Sequence, residues 1–143
     1  MRIRRGVVGD LPSILAAEKA CFPGDLAFPA EALSFLLAEG TTIVAEDGDL
    51  VGFVMGFVEG WWGKILTLDV IPERRRQGVA GRLVAALEEE LASQGAGAVS
   101  LEVSVENREA VALYSSLGYR KAALLPSYYG RGIDGMLMVK RLE

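Results

Sequence analysis

Two segments of this 143-residue chain carry residue types able to hold an anion and move a proton. The first is Val70-Ile-Pro-Glu-Arg-Arg-Arg-Gln-Gly-Val-Ala80. It follows the apolar run Ile65–Val70, which reads as a strand. It precedes apolar residues at Ala80, Leu83, Val84, Leu87 and Leu91, the spacing of one helical face. A basic, glycine-containing loop therefore opens onto a helix N-terminus, where unpaired N–H groups and the positive end of the dipole favour an anion, most often a phosphate. Gly78 and Ala80 are small where phosphates must touch backbone, and Arg75 can add a charge-assisted hydrogen bond. No Lys-Ser or Lys-Thr follows the glycine, which excludes a nucleoside-triphosphate P-loop, and the Gly-x-Gly-x-x-Gly dinucleotide pattern is absent. Taken alone, arginines before a helix also describe an ordinary solvated loop.

The second segment runs from Leu101-Glu-Val-Ser through Asn107 to Leu117-Gly-Tyr119. Glu102 falls on the polar face of an alternating strand, and Tyr114 follows Ala110 at helical spacing. Singly, these read as a surface carboxylate, a packed aromatic and a helix C-cap.

Together, and in this register, the two segments resemble the GNAT superfamily, the Gcn5-related N-acetyltransferases. Arg75-Arg-Gln-Gly-Val-Ala80 fits that family's Arg/Gln-x-x-Gly-x-Gly/Ala loop. Asn107 through Tyr119 fits its Asn-x-x-Ala-x-x-Leu-Tyr-x-x-Leu-Gly-Phe/Tyr segment. The Leu101-Glu-Val103 strand and the paired Tyr128-Tyr129 are similar to the RimI-like branch, the ribosomal-protein alanine acetyltransferases. The match covers Leu66 to Tyr129; the part before it agrees in its order of elements.

The resemblance implies an α/β (α+β) fold with a mixed, mainly antiparallel central sheet flanked by helices on both faces. It implies acetyl-CoA as acetyl donor and no metal. Backbone N–H groups around Gln77, Gly78, Val79, Ala80 and Gly81 would hold the pyrophosphate, with Arg75 beside them. The strand Leu68 to Val70 would pair with the pantetheine arm, an N–H near Val70 would polarise the thioester carbonyl, and Asn107 would contact CoA from the next helix. Glu102 would be the general base and Tyr114 the general acid. The acceptor would be a protein N-terminal α-amine, or alternatively a small amine or amino acid; a non-catalytic acyl-CoA-binding domain is a third reading, which has no use for Glu102 and Tyr114. The chain departs from the RimI-like pattern at Asp25-Leu-Ala-Phe28-Pro29, where Pro-Trp-Ser is usual, and at Ile133-Asp134-Gly135, where Glu-Asp-Ala is usual. Both flank the acceptor side, where Tyr128 and Tyr129 either line the groove or pack the last hairpin.

The rest of the chain is consistent with one domain over residues 1–143. It contains no histidine, which removes histidine bases and most zinc sites. One cysteine, Cys21, excludes an internal disulfide and reads as a buried thiol in a reducing cytoplasm. A net charge of −4 argues against nucleic acid as partner, and neither a signal peptide nor a membrane span is legible. Oligomeric state is left open. The pattern predicts strands over 3–7, 41–46, 50–58, 65–70, 98–104, 119–125 and 136–141. Helices are predicted over 10–20, 29–40, 79–94 and 107–118. Asp47-Gly48-Asp49 marks a hairpin, and Trp61-Trp62 sits at a second turn as a core lid or a contact patch. Glu88, Glu89 and Glu90 are expected on the solvated back of their helix.

Overall fold

The computed structural model describes the backbone of residues 1–143 and every side chain except that of Asp25. Its elements follow the predicted order: β1 (Arg2–Arg5), α1 (Leu11–Cys21), α2 (Ala30–Glu39), β2 (Thr41–Asp47), β3 (Asp49–Glu59), β4 (Trp62–Val70), α3 (Val79–Ser93), β5 (Ala98–Ser104), α4 (Arg108–Ser116), β6 (Arg120–Leu125) and β7 (Gly135–Arg141). Strands β1-β2-β3-β4-β5-β7-β6 form one seven-stranded sheet, antiparallel except between β4 and β5. Two elements differ from expectation. β4 begins three residues early, because Trp62, Gly63 and Lys64 pair with both neighbours. Asp10 does not cap α1 with its side chain; it accepts from the Val7 N–H and grips the Arg4 guanidinium, fastening β1 to a short 3-10 turn ahead of the helix.

The helices cover both faces. Helix α3 buries Val79, Leu83, Val84, Leu87 and Leu91 against Ile43, Val54, Ile65 and Val99, with Tyr114 of α4 in the same cluster. Each such aliphatic side chain contributes about 1.5–3 kcal/mol of transfer free energy. On the opposite face Ile14 and Ala17 of α1 and Leu33 of α2 pack on Val44, Phe53 and Met55.

Two irregularities in β4 shape everything that follows. Parallel pairing with β5 covers only Trp62–Lys64 against Ala98–Ser100, while β4 continues to Val70 and β5 to Ser104. Beyond Lys64 the strands diverge and leave a gap in the sheet. In addition, β3 pairs Met55 with Thr67 but Gly56 with Ile65, so Leu66 is an extra, bulged residue. A bulge resets which side chains face which way. Ile65 faces α3; after the bulge Leu68 and Val70 keep to that cluster, whereas Thr67 and Asp69 turn to α1 and bond one another and Glu18. Gly56 permits this: a Cβ there would lie 2.3 Å from the Lys64 carbonyl oxygen.

Candidate active site

The gap lies at the C-terminal ends of the one parallel pair, the place where open α/β sheets commonly take ligands. Ile71 N–H donates to Val51 O at 3.0 Å, and Gly52 and Val54 stand opposite Val70 and Leu68. Antiparallel hydrogen bonding alternates, so the N–H and C=O of Val70 and Leu68 point away from β3, into the gap. The Val70 carbonyl confirms that direction, since it accepts from Arg75 Nε at 2.9 Å and from Cys21 Sγ at 3.4 Å.

Above these strand ends, Pro72–Arg74 forms one 3-10 turn, and Arg74 ties the loop to the β2–β3 turn through Asp47 Oδ2 at 3.1 Å. Arg76 (φ 62) and Gly78 (φ 80) both adopt left-handed backbone, so Gly78 supplies its conformation at little cost while Arg76 is held there by the loop. Gly78 occupies the N-cap of α3 without a capping side chain, and no acidic residue lies in the first turn. Among the described residues, none of the N–H groups from Gln77 to Gly81 finds an acceptor within the chain. The N-terminus of α3 is therefore open at the position where the sequence leads one to expect an anion. The side chain of Gln77 is used internally, accepting from Arg74 Nε and donating to Glu73 O.

Glu102 lies on the face of β5 turned away from the α3 cluster, whereas Tyr114 of α4 lies within that cluster. Glu102 is not the free carboxylate its polar-face position suggested: Lys64 Nζ donates to its Oε2 at 2.6 Å. Tyr114 is 8% exposed and edge-on to Tyr119. Burial pushes its hydroxyl well above the ordinary tyrosine range, and nearby Asp69 and Tyr129 push in the same direction. Its hydroxyl makes none of the side-chain hydrogen bonds among the described residues. Tyr129 is pushed up to about 12 by burial, with Tyr128 and Glu102 adding to it. The rings of Tyr128 and Tyr129 meet at 4.9 Å and cover Gly135, yet each stays about half exposed. They pack the β6–β7 connection and border the gap at once. Asn107 caps α4, accepting from the Ala110 N–H at 3.1 Å, which leaves its amide nitrogen available.

Sequence reading missed the floor of this site. Glu18 and Asp69, each 1% exposed, share the hydroxyl of Thr67 at 3.3 and 2.6 Å. Burial, then Glu18 beside it, pushes the Asp69 carboxyl up to about 8. Glu18 also accepts from the Phe28 N–H at 2.8 Å, pinning the α1–α2 connection beside the gap. The available signal was Gly56, an interior strand glycine of the kind that marks a bulge. Cys21, expected as a buried thiol, is only half-buried, and burial raises its thiol further from reactivity. Asp134, noted only as a departure, anchors the β6–β7 connection by accepting from the Ser127 N–H and the Val105 N–H. Two further corrections lie outside the site. Glu88 is not solvated, since it accepts from the buried Tyr119 hydroxyl at 2.8 Å and from Lys140 at 2.9 Å; Glu90 pairs with Arg5. Trp61 lies over Gly97 and edge-on to Trp62, about half exposed, clamping the start of the β4–β5 pair.

Residues 11–119 match the Acetyltransferase (GNAT) family. The chain belongs to that family. Among relatives, this GNAT chain is 33% identical over 148 residues to an N-terminal acetyltransferase complex ARD1 subunit homolog of Dictyostelium discoideum, covering 99% of this chain and 73% of the relative. It is 31% identical over 109 residues to an N-alpha-acetyltransferase of Saccharolobus solfataricus, covering 67% and 65%. The chain spans 39%, 64% and 65% of the lengths of three curated relatives. Naa20 of Chaetomium thermophilum, solved with a bisubstrate analogue, superposes with a TM-score of 0.88 at 27% identity, covering 99% of this chain and 87% of that one. The ribosomal-protein-S18-alanine N-acetyltransferase of Escherichia coli shares the fold, with a TM-score of 0.88 at 24% identity and coverage of 99% and 94%. The expected family and fold class are borne out. Among the described residues, no helix is long and apolar enough to cross a membrane.

Proposed function

We propose that this chain is a cytoplasmic N-acetyltransferase that moves the acetyl group of acetyl-CoA to a protein N-terminal α-amine by direct attack in a ternary complex. The observation that carries the reading is the pair of features beside one gap in the sheet: the N–H groups of Leu68 and Val70 turned away from β3, and an uncapped helix N-terminus at Gly78–Gly81. Glu102 on the neighbouring strand and Tyr114 on the following helix supply the acid–base pair that the reading requires. The names of the relatives support the α-amine as acceptor.

In this reading the CoA pyrophosphate lies on the N–H groups of Gln77, Gly78, Val79, Ala80 and Gly81. Arg75 approaches it, and Asn107 reaches it with its amide. The pantetheine arm extends β4 across the gap as an added strand. Two N–H groups face the thioester, those of Leu68 and Val70. Leu68 stands nearer the level of Glu102, so it is the better placed to polarise the carbonyl. A free α-amine titrates near pH 8, and much of it arrives as ammonium at neutral pH. Glu102 takes that proton, directly or through water, and the neutral amine attacks. The C–S bond breaks, Tyr114 gives its proton to the departing thiolate, and the second proton lost by the attacking nitrogen restores the tyrosine. Tyr128, Tyr129 and the segment pinned by Glu18 border the acceptor.

The test is thiol release with a peptide bearing a free α-amine, set against the same peptide blocked at its N-terminus and against small amines. Turnover confined to the free peptide supports the reading. Faster turnover with small amines transfers the acceptor to that class.

A further inference from the structure

The carboxylate that the proposed mechanism needs as a base already holds an amine. Lys64 Nζ sits 2.6 Å from Glu102 Oε2, with the lysine and glutamate side chains 30% and 16% exposed. Lys64 is the last β4 residue paired with β5, opposite Ser100. Its side chain runs forward to Glu102, two positions further along β5. An acceptor amine that hands its proton to Glu102 must occupy the same position.

We propose that Lys64 is itself an acceptor, and that the enzyme acetylates this lysine in its own active site when no substrate amine displaces it. The inference rests on the acetyl-transfer reading above. Glu102 removes one proton from the Lys64 ammonium, which dissolves the ion pair and frees the side chain. Nζ then attacks the thioester carbon, an N–C bond forms, the C–S bond breaks, and CoA leaves as the thiol after the second amine proton is released to it. From the level of Leu66, where Nζ now lies, to Leu68 is about 7 Å along a strand, within the swing of a lysine side chain. The product amide carries no charge and no longer pairs with Glu102. Self-acetylation therefore unmasks the base, so early turnovers on Lys64 raise the activity of later ones.

Four lysines are present: Lys19, Lys64, Lys121 and Lys140. Lys19 and Lys121 are exposed, so simple chemical acylation by acetyl-CoA labels them ahead of half-buried Lys64. The experiment incubates the protein with acetyl-CoA alone and maps the labelled lysines by mass spectrometry, then repeats this with Glu102→Gln and Lys64→Arg, and measures peptide acetylation alongside. The expected result is Lys64 labelled first and to one equivalent, with labelling slowed at least tenfold in Glu102→Gln. Retained acetyl-CoA binding shows that this variant is folded. Lys64→Arg loses the label, and the early acceleration of peptide turnover disappears with it, because an arginine keeps the pair with Glu102 and is not acetylated. Unlabelled Lys64 in an enzyme that acetylates peptide overturns the proposal and leaves the acetyl-transfer reading standing. Faster Lys64 labelling in Glu102→Gln also overturns it, because the ion pair would then only shield the amine. Loss of both labelling and peptide turnover removes the underlying reading itself.

Discussion

Asp69 of β4 and Glu18 of α1 meet at one hydroxyl, that of Thr67, which lies 2.6 Å from Asp69 Oδ1 and 3.3 Å from Glu18 Oε1. Asp69 Oδ2 is buried without a partner. Two acids this close and this dry do not both ionise near neutrality, which is why Asp69 holds its proton up to about 8.

That proton makes stability depend on pH. The folded protein binds it more tightly than the unfolded chain, whose carboxyl titrates near its ordinary 3.8. Stability attributable to Asp69 therefore falls as pH rises from about 4 to about 8 and levels off above that. Asp69→Asn removes this dependence. Thermal melts should place the variant close to wild type at the acid end of the window, with its relative Tm climbing by a few degrees toward pH 8. A parallel pair of curves would show that Asp69 is ionised throughout.

Glu102→Gln should lower kcat by about 10²–10⁴ while acetyl-CoA affinity is kept, and the rate should become more steeply dependent on the free-amine fraction of the acceptor. Tyr114→Phe should fold normally, because its hydroxyl makes no side-chain hydrogen bond among the described residues, and should lose about 10² in kcat. Steady-state kinetics across pH 6 to 9 checks both; an unchanged profile in Glu102→Gln assigns the base elsewhere.

Gly56→Ala should be among the most damaging alanine substitutions in the sheet. The added methyl meets the Lys64 carbonyl, the bulge at Leu66 cannot form as it stands, and a loss of about 3 kcal/mol or more follows. Gly9→Ala, with nothing within 4 Å, should stay within about 0.5 kcal/mol. Urea unfolding of the two variants decides the point.

Glu88→Ala should cost about 1–3 kcal/mol, since the Tyr119 hydroxyl, on a side chain only 2% exposed, loses its acceptor. Glu88→Gln keeps an acceptor oxygen and should cost less. Chemical denaturation of both separates lost hydrogen bonding from lost charge.

What the sequence made legible followed from periodicity. The helical spacing from Leu83 to Leu91 and the alternation in Ala98–Ser104 gave α3 and β5 within a residue, and the loop before Gly78 announced an open helix N-terminus because its glycine and uncapped helix are local features. The missing part depends on a single unpaired residue. Leu66 inverts the facing of β4, and no alternation read straight through Ile65–Val70 shows Thr67 and Asp69 turning to α1. Likewise, the partners of Glu102 and Glu88 lie 38 and 52 positions away, at Lys64 and Lys140. Long-range ion pairs leave no mark on local pattern, so both carboxylates read as solvated.

The account stands first on its donor site. Isothermal titration of the protein with acetyl-CoA tests this most directly. One equivalent should bind with Kd on the order of micromolar, and Arg75→Ala should weaken it about tenfold by removing a charge-assisted contact beside the pyrophosphate. Absence of any binding heat at millimolar acetyl-CoA, in protein shown to be folded, would contradict the account as a whole.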